Sequence, residues 1–311
     1  MLKKMLFIIN PCSGTGAIHK VLLSILDSFT KAGYDLHLFI TQRGQDAYEK
    51  ICQDGENYDL LVCSGGDGTL NETVSGLMTL QKKPLLGYIP AGTVNDFATN
   101  LKISKHPLKA AETIVNGVPF QCDIGSFDDR YFTYIAGFGA FTEISYITPQ
   151  NAKNALGKSA YLVECLKHLT PFHCYKVKIT YDGQVMEDEF VYGAISGTGT
   201  FGGFRSLLPR KVDMADGLFE GTFIRNPVTP LDIQNVVNYL FVGTPGNDMV
   251  FTFKAAHITV ESEIPLAWTV DGEFGGDHTH VEIQNHKQVL TILTPKGENA
   301  SSVEPAAKDE T

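Results

Sequence analysis

The sequence predicts two domains: an α/β N-terminal domain on a parallel sheet over residues 1–125, and a β-rich, mostly antiparallel C-terminal domain over 126–295. Three observations predict this. The first 125 residues alternate short apolar runs with amphipathic stretches of helical period. Beyond about Ser126 the chain becomes a series of β-branched and aromatic runs separated by turn dipeptides. Three glycine-rich turns, at 10–16, 64–69 and 90–96, each follow an apolar run, which is where an α/β sheet places its ligand.

In chain order, "MLFIIN" is a strand, and "AIHKVLLSILDSFTKAG" a helix that closes at Gly33. "DLHLFI" is a second strand, followed by a short helix from Asp46 to Cys52. "DLLVCS" and "PLLGYIP" are strands on either side of the helix "TLNETVSGLMTL", and "AGTVNDFATNL" leads into further helix. Strands that alternate with helices require right-handed crossovers and hence a parallel sheet. The later segments, from "YFTYIAGFGAF" through "EFVYGAISGTGTFGG" to "LAWTVDGEFGG" and "THVEIQN", read as strands, with helices near 155–169 and 230–241. The tail from Lys296 to Thr311 holds four acids against two lysines and reads as disordered.

Charge and cysteine usage narrow the function classes. Lys plus Arg number 25 against 35 Asp plus Glu, a net charge of -10, which argues against nucleic acid as a partner. "MLKKMLFIIN" is too short and too soon broken by Asn10-Pro11 for a signal peptide, and no apolar stretch is long enough for a membrane span. The six cysteines are scattered, with no CxxC pair, and read as buried thiols in a reducing cytoplasm.

The glycine turns carry the chemistry. Gly65-Gly66-Asp67-Gly68-Thr69 lets another group approach the backbone, and successive N–H groups with the following helix N-terminus form an anion-binding concavity. Asp67 repels phosphate, so its presence there suits a metal ion standing between carboxylate and phosphate oxygens. A nucleoside triphosphate with Mg²⁺ satisfies both features. Taken alone, GGDGT reads equally well as a tight turn with Asp67 or Thr69 as helix cap. "NPCSGTG" fits neither the GxxxxGK nor the GxGxxG pattern, since His19 stands where the last glycine would be.

Six segments in order resemble the catalytic-domain family of diacylglycerol kinases, in its soluble bacterial lipid-kinase branch. They are NPxSGxG at 10–16 with Lys20 beyond it, GGDGTxNE at 65–72, GTxNDFA at 92–98, "CDIG" at 122–125, "DGLFE" at 216–220 and "VDGE" at 270–273. The resemblance spans nearly the whole chain and implies a two-domain lipid kinase that uses ATP and Mg²⁺. It implies that Asn10, Pro11, Cys12, Ser13, Gly14, Lys20, Thr41 and Thr93 embrace ATP together with Gly65, Gly66, Asp67, Gly68, Thr69, Leu70, Asn71, Glu72 and Thr73. Asp67, Asp96 and Asp123 would form an acidic, metal- and water-organising cluster under the phosphates, although Asp123 is also readable as a turn acid.

By the same resemblance Glu273 is the general base that takes the proton of a lipid hydroxyl, while Asp271-Gly272 by itself is a favoured hairpin dipeptide. Asp213, Asp216 and Leu218 would hold a structural Mg²⁺, the last two lying in what is otherwise a plain Asp-Gly turn. Thr99 stands where the family often has Arg, leaving Lys20, Lys102 or Lys105 to neutralise phosphate charge. Arg205, Arg210 and Lys211 around two leucines form either a lipid-facing rim or a solvated loop. His278 and His280 share a strand face and read as solvated side chains.

The expected activity is transfer of the γ-phosphate to diacylglycerol by a cytoplasmic enzyme that meets the membrane transiently. Phosphatidylglycerol, a sphingoid base, a small polyol or NAD are alternative acceptors, and a nucleotide-binding regulator without catalysis is the alternative from another class. The family often dimerises, and no segment marks an interface.

Overall fold

The computed structural model describes residues 2–14, 16–139, 173–199, 212–242 and 248–297. The helix expected near 155–169, Cys165, the basic run with Arg205, Arg210 and Lys211, and the tail beyond 297 lie outside the described residues.

Four strands run parallel in the order β2-β1-β3-β4: β1 (Lys3–Ile9), β2 (Tyr34–Ile40), β3 (Leu60–Gly65) and β4 (Leu85–Pro90). β1, β3 and β4 are buried on both faces because helices cover the sheet, as the uninterrupted burial of Met5 to Ile9 shows, whereas the edge strand β2 leaves Leu38 and Ile40 exposed. α1 (Leu22–Lys31) buries Ile25 and Phe29 from one face and ends at Gly33, whose φ of 85° suits a residue without Cβ. The single helix expected from Ala17 is broken: a 3-10 turn (Ala17–Lys20) precedes α1, with Val21 between them. α2 (Asp46–Asp54), α3 (Asp67–Thr79), α4 (Asp96–Asn100) and α5 (Pro107–Asn116) complete the layer.

The second region is antiparallel. It comprises β5 (Val118–Phe127), β6 (Arg130–Phe132), β7 (Ile135–Gly139), β8 (Tyr175–Tyr181), β9 (Gln184–Ser196), β10 (Phe219–Arg225), α6 (Pro230–Val242), β11 (Val250–Ala255), β12 (His257–Val270) and β13 (Glu273–Thr294). Its core centres on Trp268, whose ring meets Phe127 and Phe138 edge-on, each at 5.1 Å.

One element crosses the expected boundary. Val281 and Ile283 of β13 pack in the second core, whereas Leu290, Ile292 and Leu293 pack in the first. Between them the pairing with β5 shifts register, and Gln288 adopts a φ of 52°. Assigning all of 126–295 to the second domain is therefore corrected: the end of β13 lies parallel to β4 and completes the first sheet. The cysteine expectation also needs correction, since Cys63 and Cys122 are buried but Cys12 and Cys52 are exposed, on a loop and on α2.

Candidate functional site

Because β1 to β4 are parallel, the loops after them emerge along one edge. There the three glycine turns interlock backbone to backbone. A Cβ on Gly14 would lie 1.9 Å from the Ala91 carbonyl oxygen, and one on Gly92 would lie 2.6 Å from Gly66 Cα. Gly14 also has a φ of 57°, so any side chain there meets both strain and collision. Side chains cross-link the loops: Asn10 Nδ2 donates to Thr69 Oγ1 at 2.8 Å, and Gly66 N–H donates to Ser13 Oγ at 3.3 Å.

Asn95 holds the third turn. It sits at φ 53°, its Oδ1 accepts from Gly92 N–H at 3.0 Å, and its Nδ2 donates to Gly92 O at 2.7 Å. Its own N–H donates to Asp67 Oδ2 at 2.9 Å. The sequence reading passed over this residue; its signal is that asparagine tolerates the left-handed conformation after a Gly-Thr turn.

Asp67 begins α3 at the junction. Its other oxygen, Oδ1, is buried without a hydrogen-bond partner. Burial pushes its carboxyl up to about 6, Asp96 beside it adds to the rise, and the Asn95 N–H and the Lys105 ammonium pull the other way. Lys105 donates to the carbonyl of Val94, so the cation expected somewhere downstream of the turn stands against it. Lys20 is exposed at the end of the 3-10 turn, and Thr99 gives its hydroxyl to Asn95 O within α4. A buried carboxylate pair with a free oxygen is a donor set that suits a hard divalent cation.

Across from this end of α3 lies Glu273. A Cβ on Gly68 would meet Glu273 Oε1 at 3.0 Å, so the glycine leaves room for the carboxylate. A cavity of about 580 Å³ opens here, lined among others by Gln45, Tyr48, Glu72, Tyr131, Glu273 and Phe274; of the glycine turns it reaches only Gly68, and its volume suits a small-molecule ligand. Glu72 is raised by burial, and N–H groups of Gln45 and Ala47 at the start of α2 hold its carboxylate and offset the rise.

Not every expected residue faces this space. Leu70 and Thr73 are fully buried, Leu70 in the first core and Thr73 with its hydroxyl on Thr69 O, so only their backbone is near the turn. Thr41 is buried at the end of β2 with its N–H on Ile9 O, and Thr93 is exposed on the third turn. Cys12 N–H donates to Asn10 Oδ1, shaping the first loop, and Pro11 O meets the His19 ring.

Asp123 belongs elsewhere, which corrects the expected triad. Its oxygens accept from Gly217 N–H at 2.7 Å, Gln288 N–H at 2.8 Å and Asn285 Nδ2 at 3.4 Å, and the acid that perturbs it is Asp216. It pins the 213–218 loop. In that loop Asp213 Oδ1 accepts from Ala215 N–H, and Asp216, the expected carboxylate ligand, gives one oxygen to Leu218 N–H and the other to Lys254 at 3.2 Å. The ammonium of Lys254 is also 2.8 Å from buried Glu220, so the Asp216 carboxylate is paired with a lysine in this structure. His280 is exposed beside Glu261 and Glu282, and His278 bonds Gly275 O, with no third ligand near them among the described residues.

The diacylglycerol kinase catalytic domain model matches residues 4–127, and the YegS C-terminal NAD kinase beta sandwich-like domain model matches 138–294. A diacylglycerol kinase of Bacillus subtilis (strain 168) is 35% identical over 279 residues, 88% of this chain and 91% of that one. One of Staphylococcus carnosus (strain TM300) is 33% identical over 301 residues, 95% of this chain and 96% of that one. A crystal structure of a diacylglycerol kinase from Bacillus anthracis str. Sterne superposes with a TM-score of 0.75 at 27% identity, covering 95% of this chain and 98% of that one.

Proposed function

The chain belongs to the diacylglycerol kinase catalytic-domain family, and on that premise we propose that it transfers the γ-phosphate of ATP to the hydroxyl of diacylglycerol. The observation that carries the reading is Glu273 held against Gly68 at the phosphate-binding end of α3, beside a cavity whose volume suits a small-molecule ligand.

The phosphates lie on the N–H groups of the interlocked glycine turns and the first turn of α3, whose dipole favours negative charge. Magnesium fits the Asp67–Asp96 pair, where one buried oxygen has no other partner, and when bound it supplies charge neutralisation to the phosphates. Lys105, and Lys20 across the first loop, add positive charge. Glu273 accepts the proton of the acceptor hydroxyl as its oxygen bonds to phosphorus; the bond from phosphorus to the bridging oxygen breaks, and ADP carries away the electron pair. The acceptor lies in the second domain's side of the cleft, and the enzyme works in the cytoplasm, touching the membrane transiently.

Phosphoryl transfer from γ-labelled ATP with Mg²⁺, in mixed micelles of diacylglycerol, phosphatidylglycerol, a sphingoid base and ceramide with NAD as soluble control, tests this. Label moving chiefly to diacylglycerol supports the reading; label moving to another acceptor replaces it. Glu273→Gln keeps ATP affinity and lowers kcat by about 10²–10⁴. Normal turnover in that variant removes Glu273 from the role of base.

A further inference from the structure

Asp271 is a turn residue with more hydrogen bonds than a turn requires. Asp271 and Gly272 have φ values of 48° and 84° and join β12 to β13 as a two-residue turn, with Val270 paired to Glu273. That geometry needs nothing from the aspartate side chain. Yet the carboxylate is 6% exposed and accepts from Thr133 N–H at 2.6 Å, Thr133 Oγ1 at 2.8 Å, Tyr134 N–H at 3.0 Å and Ile135 N–H at 3.1 Å. A fifth donor, Asn71 Nδ2 at 2.9 Å, comes from α3.

Asn71 lies one helical turn beyond Gly68. Its amide nitrogen also donates to Tyr131 O at 3.0 Å, so one amide hydrogen goes to the Glu273 turn and the other to β6, the strand just before the 133–135 segment that holds Asp271. Its Oδ1 faces Ser75 of its own helix at 3.5 Å. An amide committed in this way has no hydrogen left for a nucleotide.

We infer that Asn71 and Asp271 form a latch that fastens the hairpin bearing Glu273 to the nucleotide-facing helix and sets the gap across which the base works. Both are positioning residues: they line the cavity, but the amide hydrogens of Asn71 are already committed to the latch and to Tyr131. The inference rests on the reading of Glu273 given above. Its physical basis is leverage: α3 is rigid, the turn is two residues long, and Glu273 follows the latched residue by two positions. A slip of an ångström at the latch is carried directly to the carboxylate, and such misplacement costs up to about 10²-fold in rate.

The test combines Asn71→Ser, Asp271→Asn and their double variant, reading kcat, KM for ATP, ATP–Mg²⁺ affinity by calorimetry, and unfolding. Asn71→Ser leaves the four bonds to residues 133–135 in place and folds even if Asp271→Asn does not. The latch predicts a fall in kcat of about tenfold or more in each single variant. It also predicts ATP affinity within about twofold of wild type and a double variant no worse than the weaker single one. Weakened ATP affinity with kcat intact in Asn71→Ser makes Asn71 a nucleotide contact and overturns the latch. Additive losses overturn it as well. Wild-type protein that transfers phosphate to no acceptor defeats the Glu273 reading alone. The latch is then judged by unfolding, where non-additive changes support it and additive ones end it.

Discussion

Two acidic clusters stand on this chain, built from the same residue type and put to opposite uses. At the glycine junction Asp67 keeps a buried oxygen with no partner and is pushed up to about 6. At the 213–218 loop Asp123 has both oxygens occupied, by backbone N–H groups and Asn285, and Asp216 is closed off by Leu218 N–H and Lys254. The first cluster leaves its charge unsatisfied, which destabilises the fold and suits a cation. The second spends its charge on holding a loop. The role of an acid is thus decided by which donors reach it.

Substituting each cluster in turn sharpens or breaks this contrast. The largest effect belongs to Asp67→Asn. Turnover falls by about 10³-fold or more, while the protein gains on the order of 2–3 kcal/mol against unfolding. The folded carboxyl titrates near 6, above its unfolded value, so wild type is destabilised as pH rises through that range. The gain in the variant is therefore absent below about pH 4 and complete above about pH 7, as thermal unfolding across pH will show. Stability that does not change with pH would mean that Asp67 is satisfied by something else.

Asp123→Ala is the mirror image. It orphans the Gly217 and Gln288 N–H groups and costs about 2–3 kcal/mol of stability. Turnover at a permissive temperature stays within about threefold, because nothing in the cleft has been touched. A loss of activity without loss of stability would return Asp123 to the phosphate cluster.

Gly68→Ala separates packing from propensity. Alanine favours the helix by about 1 kcal/mol, but its Cβ meets Glu273 Oε1 at 3.0 Å. Unfolding temperature is expected to hold or rise while kcat falls by about tenfold. The smallest effect is Lys254→Met, which removes the counter-charge of Glu220 and Asp216. Glu220 is only 2% exposed, and its carboxyl is raised by burial to about 7 even with the lysine in place. The lysine itself is 45% exposed, so solvent screens the pair and the loss is about 1–2 kcal/mol near pH 8. Glu220 is protonated at about pH 5, and the loss shrinks accordingly.

Much of the architecture is legible in the sequence. Alternating strand and helix periods placed β1 to β4 within a residue or two, and the glycine turns fell at their carboxyl ends because breaking a buried strand and opening a helix is a local event with local residues. The positions of Asp67, Gly68, Glu72 and Glu273 were readable as motif members for the same reason. Asp271 was visible only as a turn former and Asn95 only as a letter of the GTxNDFA segment, since neither pattern tells what the side chain holds.

Tertiary structure decided the remainder. Asp123 meets Gly217 across 94 residues, and Asn71 meets Asp271 across 200. β13 leaves one hydrophobic core and finishes the other through a register shift that its alternating sequence does not display. Lys254 reaches Asp216 of the 213–218 loop because β10 pairs with β11 and sets it opposite Glu220. A local pattern determines which backbone conformations are cheap. Which donor finally reaches a given carboxylate depends on how distant strands stack, and that information is spread over the whole chain.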